Sequence, residues 1–170
     1  MIARLGVVIL LVVAACSAGP DAPPVGAPET VCTGNFCVDH PSDWEIIEVG
    51  ADFAVFRHPG GEDEVIASVG QVNMELLATE GGRSWPQTTD EVVRAFWQLL
   101  ASEDAELGAL RLLVDGSVSS FGVLGGGWLW HRLVPIGASR AVGVEIRGPN
   151  RSWEAHADVF IEGLRIVFDD

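Results

Sequence analysis

The chain has 170 residues, and its 24 acidic residues outnumber ten basic ones, all arginine, for a formal net charge of −14. A chain this acidic repels nucleic acid and anionic lipid surfaces, so functions that depend on polyanion binding are excluded. Its apolar share of 48% and its six tryptophans exclude a disordered chain.

Residues 1–15 carry one charge, Arg4, then the apolar run Leu5-Gly-Val-Val-Ile-Leu-Leu-Val-Val13, then Ala14-Ala15 ahead of Cys16. That is the layout of a signal peptide, and the run is too short for a spanning helix. Val13-Ala14-Ala15-Cys16 resembles the lipobox of bacterial lipoproteins. In that motif small residues admit the signal peptidase, and the cysteine thiol receives a diacylglycerol before cleavage. Cys16 is therefore the expected lipidation site and mature N-terminus. Two acyl chains, of the palmitate kind, hold far better than one, so the expected location is the extracytoplasmic face of the cell membrane. Loss of Arg4 leaves the mature chain at 9 − 24 = −15.

Residues 16–29 follow as an Ala/Pro/Gly-rich stretch with prolines at 20, 23, 24 and 28, which reads as a semi-rigid tether. Residues 30–170 remain, about the size of one domain.

Two further cysteines lie in Val31-Cys-Thr-Gly-Asn-Phe-Cys-Val38. A two-residue turn at Gly34-Asn35, of type II′ with glycine first, sets Thr33 opposite Phe36 and Cys32 opposite Cys37. That second pair is non-hydrogen-bonded, with Cα atoms about 4.5 Å apart, within reach of a disulfide. In an oxidising compartment a Cys32–Cys37 disulfide is expected, contributing roughly 2 kcal/mol across so short a loop.

Residues 40–44 read as a proline turn, and residues 44–49, 52–58 and 64–74 as three strands of a meander. Thr88 and Glu91 have capping-box spacing and open a helix to about residue 102, with Val92, Val93, Phe96, Trp97, Leu99 and Leu100 on its apolar stripe. Strand candidates follow at 110–114, 127–134 and 141–147. A second helix begins near Ser152, with Trp153, Ala157, Phe160, Ile161 and Leu164 at helical spacing, and a tail at 165–168 could add an edge strand. This order predicts an α+β fold, an antiparallel sheet with helices packed on it.

Three segments carry a family resemblance: Phe36-Cys-Val-Asp-His-Pro-Ser-Asp-Trp-Glu45, Phe53-Ala-Val-Phe56 and Phe160-Ile-Glu-Gly-Leu-Arg-Ile-Val-Phe168. They resemble the PsbP-like α/β domain family, and within it the LpqN-type bacterial lipoproteins. The resemblance implies an α/β/α sandwich around an antiparallel sheet and an accessory or binding role, with no shared catalytic residues to transfer.

The chemistry-bearing residues are sparse. His40, His58, His131 and His156 stand in no zincin or Cys/His pattern. In Glu154-Ala-His156-Ala-Asp158 a helix puts the two carboxylates on one face and His156 elsewhere, which favours a solvated face over a metal or acid–base site. Ser117-Val-Ser-Ser120 lacks a nucleophile elbow and reads as loop. Gly125-Gly-Gly127 precedes a strand, so it offers no helix N-terminus to a phosphate. Gly61-Glu-Asp-Glu64 lacks EF-hand spacing. No catalytic residue, metal ligand or cofactor is assigned.

One set stands out. Strand alternation puts Trp128, Trp130 and Arg132 on one face, with Leu129 and His131 on the other. Aromatics beside an arginine suit a ligand-binding surface, although packing beneath a helix, under Trp153 or Trp97, is the favoured use of such a face. The expected function is a non-enzymatic, membrane-anchored accessory or binding domain whose partner is an envelope protein or a small apolar ligand. The alternative is an envelope hydrolase or metal-dependent enzyme using His156 or His131 with nearby carboxylates, and a purely structural spacer is a third.

Overall fold

The computed structural model describes residues 21–59 and 65–167. It opens with the hairpin of β1 (Pro28–Cys32) and β2 (Phe36–Pro41), whose register sets Cys32 against Cys37. The expected disulfide joins them, with Cα atoms 4.0 Å apart. The turn type differs from expectation: Gly34 lies outside the left-handed region, so this is not a type II′ turn. The Thr33 hydroxyl organises it instead, accepting from the N–H groups of Asn35 at 3.3 Å and Phe36 at 3.4 Å.

The meander follows as β3 (Glu45–Val49), β4 (Phe53–His58) and β5 (Val65–Asn73). Strand β5 ends one residue before the expected limit because Asn73 caps a helix there, its Oδ1 accepting from the Leu76 N–H at 3.0 Å. That helix, α1 (Met74–Glu80), is absent from the sequence reading; seven residues are too few for an apolar period to emerge. Helix α2 (Thr89–Leu99) matches expectation. The Glu91 carboxylate accepts from the Thr88 N–H at 2.9 Å, and a 3-10 turn, Leu100–Glu103, extends the helix.

Strand β6 (Glu106–Leu112) begins four residues before the expected 110–114 strand. Strand β7 (Val118–Leu124) corrects the reading of Ser117–Ser120 as loop: Val118, Ser120, Gly122 and Leu124 alternate inward, and two of those four are too small or polar to signal a strand. Gly125 and Gly126 then take positive φ values of 57° and 84°, the requirement of a two-residue type I′ turn into β8 (Gly127–Pro135). Strand β9 (Arg140–Gly148), a 3-10 turn at Arg151–Trp153, α3 (Glu154–Gly163) and the short β10 (Arg165–Ile166) follow among the described residues. The expected tail strand is β10, antiparallel to β2.

Seven strands form one antiparallel sheet in the order β3-β4-β5-β9-β8-β7-β6, and β1-β2-β10 form a second. Helices α1 and α2 cover one face of the large sheet, burying Val92, Val93 and Trp97 against Val118, Leu129, Leu133 and Ala141. The small sheet and α3 cover the other, burying Phe36, Val38, Ala157 and Phe160 with Phe56, Val69, Val144 and Ile146. The fold is α+β, antiparallel sheets with three described helices packed on them. No described helix is long and apolar enough to cross a membrane.

Residues 21–29, read from sequence as the end of an extended tether, lie against the domain. The Ala22 N–H donates to Ser152 Oγ at 2.8 Å, the Gly26 N–H to Asp43 Oδ1 at 3.1 Å, and β1 begins at Pro28.

Candidate ligand-binding cleft

The β7–β8 hairpin decides where the aromatic set lies. Its register pairs Val123 with Trp128, Phe121 with Trp130 and Ser119 with Arg132, so all six side chains share the face on which α3 rests. Helix α3 covers that face over β9 and part of β8, and stops short of β6 and β7. The step leaves an open cleft of about 440 Å³. Phe121, Trp130 and Arg132 form its floor, Ala109 and Arg111 of β6 its far rim, and Ile161 part of its near wall. Glu154, Asp158 and Glu162 complete that wall, four residues apart along one helix face.

The three residues singled out from sequence are thus divided. Trp130 is 3% exposed and belongs to the core beneath α3 with Trp153, while also reaching the cleft floor. Trp128 is half-buried between rings, stacked on Trp130 and on Phe121, and the Arg151 guanidinium lies 5.7 Å from its ring centre. Arg132 is mostly buried and fully engaged: its Nη1 donates to the Ile161 carbonyl at 2.5 Å, its Nη2 to Asp115 at 2.8 Å and its Nε to Ser117 Oγ at 3.2 Å. Arg132 therefore fixes the C-terminal end of α3 to the sheet. Hydrogen bonds from the Ser117 hydroxyl and N–H, with the Arg132 guanidinium beyond them, hold the Asp115 carboxyl below its ordinary range.

The opposite wall is electrostatically loaded. Asp158 keeps an exposed edge, yet partial burial, followed by repulsion from Glu162 and Glu154, raises its pKa above the usual carboxylate value. Glu154 is paired with Arg151 at 2.9 Å. Trp130 adds a polar feature: among the described residues its Nε1–H and that of Trp153 are buried without a hydrogen-bond partner. Such a donor costs about 1–3 kcal/mol when left unpaired, so these two mark an incompletely satisfied face.

The histidines lie apart from this cleft. His156 is fully buried; the Trp44 Nε1–H donates to its Nδ1 at 3.1 Å, and its Nε2 meets the Pro23 carbonyl at 2.9 Å, which places its proton on Nε2. His131 lies on the other sheet face, stacked on Phe96 with ring centres 4.6 Å apart and 3.5 Å from Ser120 Oγ; burial pushes its pKa down to about 4. His58 meets Asp43 at 3.3 Å, and His40 packs on Phe56. Among the described residues no three His, Cys, Asp or Glu side chains are grouped so as to hold a metal ion. Cys16, the Gly61–Glu64 segment and Phe168 lie outside the described residues.

Sequence reasoning missed Phe121 and Ala109, because β7 went unrecognised and β6 was placed too late, and it put Arg111 in a strand without linking it to the aromatic set. The available signal was Gly125-Gly126 between two apolar runs, a hairpin mark that pairs Phe121 with Trp130 directly.

No protein-family model matches this chain, and no curated protein matches it. A crystal structure of a protein from Bacteroides thetaiotaomicron VPI-5482 is similar at a TM-score of 0.45 and 15% identity, covering 86% of this chain. The similar region spans 50% of that chain.

Proposed function

We propose that this protein is a membrane-anchored, extracytoplasmic lipoprotein whose domain binds a small, largely apolar ligand without transforming it. The cleft beside α3 carries this reading: its volume of about 440 Å³ falls within the range of small-molecule sites, and an aromatic floor faces a few polar groups. The signal-peptide layout and the Cys16 lipobox support anchoring, and the resemblance to PsbP-like accessory domains agrees with a binding role. The enzymatic alternative gains no support from His131, which meets Phe96 and Ser120, or from His156, which meets Trp44, Pro23 and neighbouring rings.

The test uses the mature lipidated chain purified from its own envelope. Native mass spectrometry should detect a bound small molecule, and Ala109→Trp, which fills the cleft from its exposed rim, should lose it. Returning that molecule at about a hundred times its Kd should raise Tm by roughly 5–10 °C in the unsubstituted chain and leave Ala109→Trp unmoved. A chain with no adduct that cross-links to one envelope protein through the cleft rim overturns the small-ligand reading in favour of a protein partner.

A further inference from the structure

We infer that residues 21–27 form a strap that holds the domain against the bilayer in one orientation, with the N-terminal end of α3 facing the lipid surface. The inference rests on the proposed lipidation of Cys16. The segment is fastened to the domain at several points along its length.

Pro23 and Pro24 have no N–H to satisfy, which suits an extended segment laid on a surface. The groups on either side are bonded to the domain. The Ala22 N–H donates to Ser152 Oγ at 2.8 Å, the His156 Nε2–H to the Pro23 carbonyl at 2.9 Å, and the Gly26 N–H to Asp43 Oδ1 at 3.1 Å. The Ser42 N–H donates to the Ala27 carbonyl at 2.8 Å. Ala22 also packs against the aromatic core beneath α3. The approach is close enough to require glycine at position 26, where a Cβ would lie 2.5 Å from Asp43 Oδ1 and 2.9 Å from the Asp43 nitrogen. His156 is fully buried, so its contact with Pro23 is part of the packed domain.

Chain length then sets the reach. From Cys16 to Asp21 there are five residue steps, at most about 17 Å fully extended. A tether free as far as Thr30 would allow about 48 Å. The strap shortens the leash by almost two thirds and fixes its exit point beside Ser152, so the domain cannot turn freely above the membrane. The Ser152 end of the molecule stays near the bilayer, and the turn between β8 and β9 points away, since nine residues of β8 span about 30 Å. Glu154, which lines the cleft, sits two residues from the exit point. An amphiphile leaving the outer leaflet would meet that end of the cleft first.

The experiment places the full lipidated chain in phosphatidylcholine vesicles carrying an acceptor-labelled lipid. A donor dye is attached at Arg147→Cys, at the Ser152 end of β9, or at Gly137→Cys, in the distal turn. Energy transfer should be several-fold stronger from position 147 than from 137, given a reach of roughly 17 Å. Gly26→Val, which cannot seat against Asp43, and separately Ser152→Ala, should shrink that ratio toward the value given by ten Gly/Ser residues inserted after Cys16. Equal transfer from both positions in the unsubstituted chain overturns the strap while leaving lipidation intact. Absence of a diacylglyceryl mass on Cys16 overturns the strap together with the anchoring on which it rests.

Discussion

The two faces of the large sheet are covered by different means and to different degrees. Under α2 the buried polar atoms find partners: the Trp97 Nε1–H donates to Ser120 Oγ at 2.9 Å, and that hydroxyl reaches toward His131. Under α3 the Nε1–H groups of Trp130 and Trp153 find none among the described residues, and the layer ends before β6 and β7. The α2 side is a finished core. The α3 side is a core that runs out into a cleft, with unpaired donors beneath it and crowded carboxylates along its wall, and a bound molecule has most to offer there.

Acid should attack the finished side first. The folded pKa of His131, about 4, lies below its ordinary 6.5, so between those values the unfolded chain binds the extra proton. His131 therefore costs nothing above pH 6.5, and stability falls as pH drops through 6.5 toward 4, by about 3 kcal/mol in all. Urea melts between pH 7 and 4 should show this loss, and His131→Leu should remove most of it. An unchanged pH profile in that variant would falsify the assignment to His131. The depressed carboxylates Asp39 and Asp115 act in the same direction at lower pH, because their folded pKa values lie beneath the ordinary carboxylate range.

A second comparison exchanges matched indoles. Trp97→Phe leaves the Ser120 hydroxyl without its donor, whereas Trp130→Phe removes a donor that has no partner. Both lose ring volume. The first should therefore destabilise by about 1 kcal/mol more than the second in denaturant melts. Equal losses would mean that Trp130 Nε1 is satisfied in solution.

The smallest effect concerns the cleft wall. Asp158→Asn removes a charge flanked by Glu154 and Glu162 and should stabilise the empty protein by about 0.4–1 kcal/mol, as expected for two relieved like-charge pairs four apart. In the unsubstituted chain the same group should take up a proton above the pH at which other carboxylates do, a shift that carboxyl NMR can follow. A destabilised Asp158→Asn variant would show that Asp158 holds a contact worth more than the repulsion it suffers.

Some of this was legible from local pattern. The capping box of α2, the Cys32–Cys37 pairing and the shared face of Trp128, Trp130 and Arg132 each follow from a spacing of a few residues, which is what turn closure and strand alternation act on. Helix α1 was hidden because Asn73 and Met74 continue the alternation of β5 until the cap forms. Strand β7 was hidden because Ser120 and Gly122 occupy its inward positions, where small or hydrogen-bonded residues fit beneath Trp97.

Sequence by itself determined the acidic, apolar-rich character of the chain, the disulfide, and an antiparallel sheet with helices upon it. Only the tertiary structure decided that Arg132 is a structural clamp for α3, that Phe121 and Trp130 floor a cleft rimmed by Arg111, and that Pro23 is bonded to His156. Periodicity reports which side of an element is apolar; how far a neighbouring element extends over that side depends on contacts between residues distant in the chain, and that extent decides whether an aromatic face is sealed or open.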